Sequence, residues 1–281
     1  MAHTPEPQPH QQPSDRTVLV DVRDAVATVT LNRPERRNAV SWQLMVELRA
    51  AFASLAMRRD VRVVVLAGAE GDFSVGADMA RVGSDDVRDQ ETRTLRGRSA
   101  KDDRERLAVA SEAVQRLVEL PQPTIARITG ACAGAGLSLA LAADLRVASP
   151  TAVFNTAFVS AGVAGDLGSA WLLTRAVGPG RARALLLDPR RLTAAEATEH
   201  GIVTELAADV DARVHELGTK LADQAPMAMA LAKDNLRDAL VLDLPDYLRA
   251  EVPRMVESAR SDDAKQAARA FVAKRAAARR A

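Results

Sequence analysis

The run at residues 61–66 is apolar except for Arg62 and lies between Asp60 and the small pair Ala67-Gly68. At six residues it is short for a helix and suits a strand buried on both faces, which requires layers above and below the sheet. The segments around it supply those layers. Residues 17–22 and 25–31 are β-branched runs separated by Arg23-Asp24, which predicts a hairpin. Ser41 then stands as an N-cap before a helix with Leu44, Met45, Leu48, Phe52 and Leu55 on one face. Residues 123–128 predict a further strand, followed by a Gly/Ala-rich turn and a helix around 137–143. Residues 145–148 and those near Phe154 predict another extended pair. Strands alternate with helices to about residue 205, the pattern of stacked βα units. Beyond about Asp209 only helical runs rich in Ala, Leu, Arg and Asp remain.

Composition narrows the function classes. The net charge is +1, from 38 basic and 37 acidic residues, which argues against a nucleic-acid coat. Aromatic residues make up 3% of the chain, too few for base-stacking platforms. The single cysteine, Cys132, excludes a disulfide framework and a cysteine-based zinc site. The first fifteen residues carry four prolines and three glutamines without the apolar centre of a signal peptide, so they are expected to form a disordered tail. The uncharged stretch between Arg127 and Asp144 is too short and too rich in Gly and Ala to span a membrane. A cytoplasmic protein is expected. Residues 81–106 hold fifteen charges of mixed sign, the pattern of a solvated helix or a mobile flap.

Two segments are candidates for chemistry. Gly71-Asp72-Phe73-Ser74-Val75-Gly76-Ala77-Asp78-Met79 follows the strand predicted at 61–66. Ile128-Thr129-Gly130-Ala131-Cys132-Ala133-Gly134-Ala135-Gly136-Leu137-Ser138 again runs from a strand through small residues into a helix. The second lacks a P-loop lysine and the dinucleotide spacing. Taken singly, each is also what a tight Gly-rich turn looks like. Together they can place two backbone N–H donors around one oxygen atom, forming an oxyanion hole.

With these segments, the chain resembles the crotonase superfamily, the enoyl-CoA hydratase/isomerase family. The likeness runs from Val26-Ala27-Thr28-Val29-Thr30-Leu31-Asn32-Arg33-Pro34 and Asn38-Ala39 through residues 73–78, 123–139 and 154–168. It continues in Arg191-Leu192-Thr193-Ala194-Ala195-Glu196-Ala197 and Gly201-Ile202-Val203, and ends near Phe271-Val272-Ala273-Lys274-Arg275. It implies an α/β fold, the crotonase-type spiral of repeated ββα units in two roughly perpendicular sheets, with a C-terminal helical region. The expected organisation is a tail at 1–15, an acyl-CoA-binding core at 16–205 and a helical oligomerisation region at 206–281.

The resemblance also implies an acyl-CoA thioester substrate, with coenzyme A part of the substrate and no separate cofactor or metal. It implies a homotrimer or a dimer of trimers. The matching oxyanion donors are the N–H groups of Ala77 and Ala135, the latter standing where glycine is usual. Each such donor is worth about 3 kcal/mol to a developing enolate. CoA is expected along Glu35-Arg36-Arg37-Asn38-Ala39 and over Val75 and Met79. Arg36 and Arg37 are candidates for its phosphates, or are merely solvated. Phe271 and Lys274 match positions that reach CoA in a neighbouring subunit. From Lys265 onward there are six basic residues and no acidic one, which suits a phosphate-rich ligand or a frayed basic helix.

The catalytic positions depart from the family pattern. Ser138 and Phe158 stand where hydratases carry two glutamates, so activation of water by two carboxylates is unavailable. Asp166 matches an acidic proton-transfer position of dienoyl-CoA isomerases; it also fits a helix N-cap. Asp144 is structural by resemblance, Asp78 suits a cap, and His200 lies at a helix end. Three readings follow: enolate chemistry with Asp166 as proton carrier, hydration through a single carboxylate, or a CoA-binding pseudoenzyme that acts as an assembly partner.

Overall fold

The computed structural model describes residues 16–78, 99–266 and 269. Strands β1 (Val18–Arg23) and β2 (Val26–Leu31) pair antiparallel, with Val18 opposite Leu31 and Arg23 opposite Val26. The turn is Asp24-Ala25, one residue later than the sequence predicts, with φ of 48° and 63°. Two left-handed residues give a turn whose twist matches that of the strands, which outweighs the modest cost of placing Ala25 there.

Ser41 caps α1 (Trp42–Ala56) by accepting the Leu44 N–H, and Leu44, Met45, Leu48, Phe52 and Leu55 are all buried, as their spacing predicts. Strand β3 (Val63–Gly68) begins two residues after the predicted start and is buried throughout. Its two faces meet different layers. Val64 and Leu66 join the main core with α1. Val63 and Val65 pack with Ile125, Val147, Val210 and Val214. The apolar run therefore needs no alternation.

Beyond β3 lie α2 (Ala100–Glu119), β4 (Thr124–Ile128), β5 (Ala131–Ala133), α3 (Ala135–Leu141), β6 (Leu145–Ala148) and β7 (Val153–Asn155). Then come α4 (Ser169–Val177), α5 (Pro179–Leu187), β8 (Leu192–Thr193), α6 (Ala194–His200) and β9 (Glu205–Leu206). Helices α7 (Val210–Ala222), α8 (Pro226–Asp238) and α9 (Leu244–Arg260) follow. A six-stranded sheet runs β1-β2-β3-β4-β6-β9, parallel except at β1, and a three-stranded sheet runs β5-β7-β8. The segments predicted as an extended pair, β6 and β7, are both extended but belong to different sheets. Strand β9 straddles the expected boundary at 205/206 and closes the large sheet against β6.

Asp144, between α3 and β6, is structural. Its Oδ2 accepts the Thr124 N–H at 2.7 Å, the Thr124 hydroxyl at 2.8 Å and Lys233 Nζ of α8 at 2.6 Å. Of residues 81–106, those from Ser99 form the cap and first turns of α2; 81–98 lie outside the described residues, as does the predicted tail at 1–15.

Candidate active site

Where β3 ends, the chain turns back so tightly that a Cβ on Gly68 would fall 2.1 Å from the Asp72 carbonyl oxygen. Asn38 braces this turn. Its Nδ2 donates to the carbonyls of Ala69 at 2.8 Å and Asp72 at 2.7 Å, and its Oδ1 accepts the Arg33 N–H at 3.0 Å. Residues 73–74 then run beside the start of the second segment. The Phe73 N–H donates to Thr129 O at 2.8 Å, the Ser74 N–H to Ala131 O at 2.9 Å, and the Ala133 N–H to Ser74 O at 3.0 Å. Asp72 adds a side-chain clasp, its Oδ1 accepting the Ala131 N–H at 2.6 Å.

This ladder brings the two small-residue turns together. Gly76 has φ of 98°, and a Cβ there would lie 2.9 Å from Ala133 O and 3.6 Å from Ala135 N. Val40 holds the peptides on either side of Ala77, donating to Gly76 O at 2.8 Å and accepting from Asp78 N at 2.9 Å. Opposite, Gly134 turns the chain with φ of 49°, and Ala135 is the first residue of α3. The first helical hydrogen bond runs from Ser138 N to Gly134 O, so the Ala135 N–H belongs to the unsatisfied end of the helix. Among the described residues neither Ala77 N–H nor Ala135 N–H has a hydrogen-bond acceptor. Ala135 is not among the residues with positive φ, so alanine stands there without backbone strain.

Asp166 sits in a turn built from three positive-φ residues, Gly165 at 117°, Leu167 at 48° and Gly168 at 73°. Such a backbone holds its shape only where the surroundings enforce it. The alternative role as an N-cap is not adopted. The cap of α4 is Gly168, and Asp166 contributes only its main-chain carbonyl, which accepts the Ser169 N–H at 2.9 Å. Its Oδ1 is buried without a hydrogen-bond partner, and burial pushes its carboxyl up to about 6. Among the apolar residues nearby in the chain, Leu167 is buried, whereas Val163 and Trp171 are exposed, and Trp171 stacks with the Arg175 guanidinium at 3.6 Å.

Ser138 is wholly buried on α3, one turn beyond Ala135, with its Oγ 3.5 Å from the carbonyl oxygens of both Gly134 and Asp166. Phe158 is also buried, its Cε1 4.0 Å from where a Cβ on Gly134 would be. The two positions where the resemblance expects carboxylates thus carry a hydroxyl and an apolar ring, both buried.

The expected CoA segment is held by ion pairs. Arg36 meets Asp78 Oδ1 at 2.7 Å, and the buried Arg33 meets Asp78 Oδ2 at 2.8 Å. Asp78 therefore anchors two guanidinium groups beside Ala77. Arg37, largely exposed, pairs with Asp72 at 2.7 Å. Partial burial works against the Asp72 charge, but the hydrogen bonds from Arg37 and Ala131 prevail and hold its carboxyl below the usual range. Ala39 is buried and Val75 half-buried. Met79, Phe271 and Lys274 lie outside the described residues. Asn38, Asp72 and Ser74 are the site residues whose roles the sequence did not show, since each acts on backbone groups brought near by the fold. Among the described residues no group of His, Cys, Asp or Glu is arranged to hold a metal, and no helix is long and apolar enough to cross a membrane.

Similarity to known proteins covers this whole arrangement. An enoyl-CoA hydratase from Bacillus anthracis of known structure superposes with a TM-score of 0.83 at 28% identity, over 92% of this chain and 96% of that one. A protein of Rhizobium meliloti named probable enoyl-CoA hydratase is 33% identical over 94% of this chain and 98% of its own. Probable enoyl-CoA hydratase EchA14 of Mycobacterium tuberculosis is 38% identical over 76% of this chain and 78% of its own. The sequence profile described as enoyl-CoA hydratase/isomerase matches residues 21–279, and the chain belongs to that family, with its crotonase fold.

Proposed function

We propose that the chain is an acyl-CoA-processing enzyme that works through a thioester enolate and moves the double bond of an enoyl-CoA. The observation that carries this reading is the partly buried Asp166, whose Oδ1 is buried without a partner and whose main-chain carbonyl lies 3.5 Å from Ser138 Oγ in the first turn of α3. In this reading Ala77 and Ala135 donate their N–H groups to the thioester oxygen. The Asp166 carboxylate takes a proton from the α-carbon of a β,γ-enoyl thioester, and the electron pair moves onto the oxygen as the enolate. The same carboxyl then returns its proton to the γ-carbon, leaving the α,β-enoyl thioester with no net change in atoms or charge. Family membership supports the acyl-CoA substrate, and no cofactor beyond the CoA carried by substrate is invoked.

Arg36 and Arg37 are the proposed contacts of the CoA phosphates, exchanging or sharing their carboxylate partners when CoA binds. Ala39, Val75 and Met79 would line its path, and Phe271 and Lys274 would reach CoA bound in a neighbouring subunit. A homotrimer or dimer of trimers, in the cytoplasm, completes the proposal. The exposure of Leu244, Val252 and Met255 along α9 supports subunit contacts there.

The test is to incubate saturated and unsaturated acyl-CoAs with the protein in deuterated water and follow their masses. Deuterium uptake into the acyl chain without gain of water is expected. Gain of water would replace this reading with hydration through one carboxylate, the activity named for the relatives. Binding of CoA without either change would make the chain a non-catalytic CoA binder.

A further inference from the structure

We infer that Ser74 is a positioning residue that sets the two oxyanion donors at their working separation. The inference rests on the oxyanion-hole reading above. Ser74 is wholly buried in the first small-residue segment, two residues before Gly76, where that segment runs beside the second. Its backbone fixes it to the strand that leads into the second turn, through Ala131 O at 2.9 Å and Ala133 N at 3.0 Å. Its side chain reaches both donors' neighbours. Oγ accepts the N–H of Gly76, the residue before Ala77, at 3.2 Å. The same side chain covers Gly136, the residue after Ala135, where an added Cβ would stand 2.6 Å from Ser74 Cβ and 2.7 Å from Oγ.

Gly76 is buried, and its N–H has no other acceptor among the described residues. Without the hydroxyl, that N–H is stranded in the interior and the cheapest remedy is rotation of its peptide. Gly76 at φ of 98° has no side chain to resist rotation, and the peptide that follows it, held by the single bond from Val40 N to Gly76 O, carries the Ala77 N–H. Loss of one oxygen at position 74 thus becomes misalignment of a donor that Ser74 never touches. A sub-ångström error is enough to matter, because the donors act on charge that develops only in the transition state.

The experiment compares wild type, Ser74→Ala and Ser74→Cys, using butyryl-CoA isotopically labelled at the thioester carbonyl carbon. Infrared difference spectra report carbonyl polarisation in the bound thioester, and mass spectrometry in deuterated water reports α-proton exchange. For Ser74→Ala, affinity should stay within about threefold of wild type, because the CoA contacts are untouched, while exchange slows at least about tenfold. The carbonyl shift should shrink in parallel. Ser74→Cys keeps an acceptor at that position, weaker and slightly larger than the hydroxyl, and should fall between the two. A Ser74→Ala protein with the wild-type carbonyl shift and exchange rate would overturn the inference. If Ser74→Ala does not fold, Ser74→Cys decides on the same readouts, an unchanged shift overturning the inference. Failure of the oxyanion-hole reading itself shows separately, as butyryl-CoA bound to wild type with no carbonyl shift, and the role of Ser74 falls with it.

Discussion

Ser138 Oγ lies 3.5 Å from the main-chain carbonyl of Asp166, while the Asp166 carboxylate keeps a buried oxygen without a partner. The Ser138 hydroxyl therefore touches the backbone of Asp166 and leaves that carboxylate oxygen unpaired. An unpaired buried carboxylate costs stability whenever it is ionised. Its carboxyl rises from 3.8 to about 6, which amounts to about 3 kcal/mol at most. Asp166→Asn should abolish deuterium exchange yet raise stability at pH ~7.5 by about 1–3 kcal/mol in urea unfolding. A merely structural aspartate would give the reverse, lower stability with activity kept.

The same residue fixes the pH dependence. If the carboxylate removes the α-proton and later returns it, one ionisation governs kcat/KM. The rate should rise about tenfold per pH unit below about 6 and then level, with no descending limb from a second catalytic acid. Stability moves the other way. A folded-state value above the unfolded one makes the contribution of Asp166 fully present below about pH 4 and lost as pH rises through about 6. Rate and chemical denaturation measured over the same buffers would show the two curves crossing.

Asp72 offers a test of how the turns are held. It accepts the Ala131 N–H at 2.6 Å and pairs with Arg37, whose side chain is 64% exposed. The exposed pair is worth less than about 1 kcal/mol, whereas a lost acceptor for the partly buried Ala131 N–H costs about 1–3 kcal/mol. Asp72→Ala should therefore destabilise far more than Arg37→Ala, and a double-mutant cycle should find little coupling between them. Because the Asp72 carboxyl is held low, its contribution is present above the unfolded value of about 4. It is lost as pH falls through the lower folded one.

These contacts mark where sequence reading stops. Helix α1 was legible because Leu44, Met45, Leu48, Phe52 and Leu55 repeat at the helical period, and β3 because its apolar run has no polar face. Both turns, with Ala77 and Ala135, were legible as small residues between a strand and a helix. Strand β5 was not, since Ala131-Cys132-Ala133 has no β-branched residue and exists through pairing with β7. Arg36 and Arg37 carry the charge that suits a phosphate, but their partners lie 42 and 35 residues away, and no local spacing encodes that. The role of Asn38 is similarly remote, and its left-handed φ of 55° is the one local hint.

The last test separates stability from chemistry at a carboxylate that could be mistaken for a catalytic one. Asp144 Oδ2 accepts from both Thr124 groups and from Lys233, and Thr124 Oγ1 accepts the Asp144 N–H at 2.8 Å in return. Burial disfavours the Lys233 charge and Asp144 only partly restores it, so the lysine is held below its ordinary range. Lys233→Met removes that buried charge together with its bonds to Asp144 and to Gln122 O at 2.8 Å. Asp144 keeps Thr124 and about a third of its exposure, so the net cost should be only about 1–2 kcal/mol. Asp144→Ala strands Lys233 and the Thr124 N–H together and should cost about 3–5 kcal/mol. The double variant should cost less than the sum, because no buried charge then remains unpaired. Deuterium exchange per folded molecule should be unchanged in Lys233→Met, since α8 holds the start of β4, at the opposite end of that strand from the turn carrying Ala135.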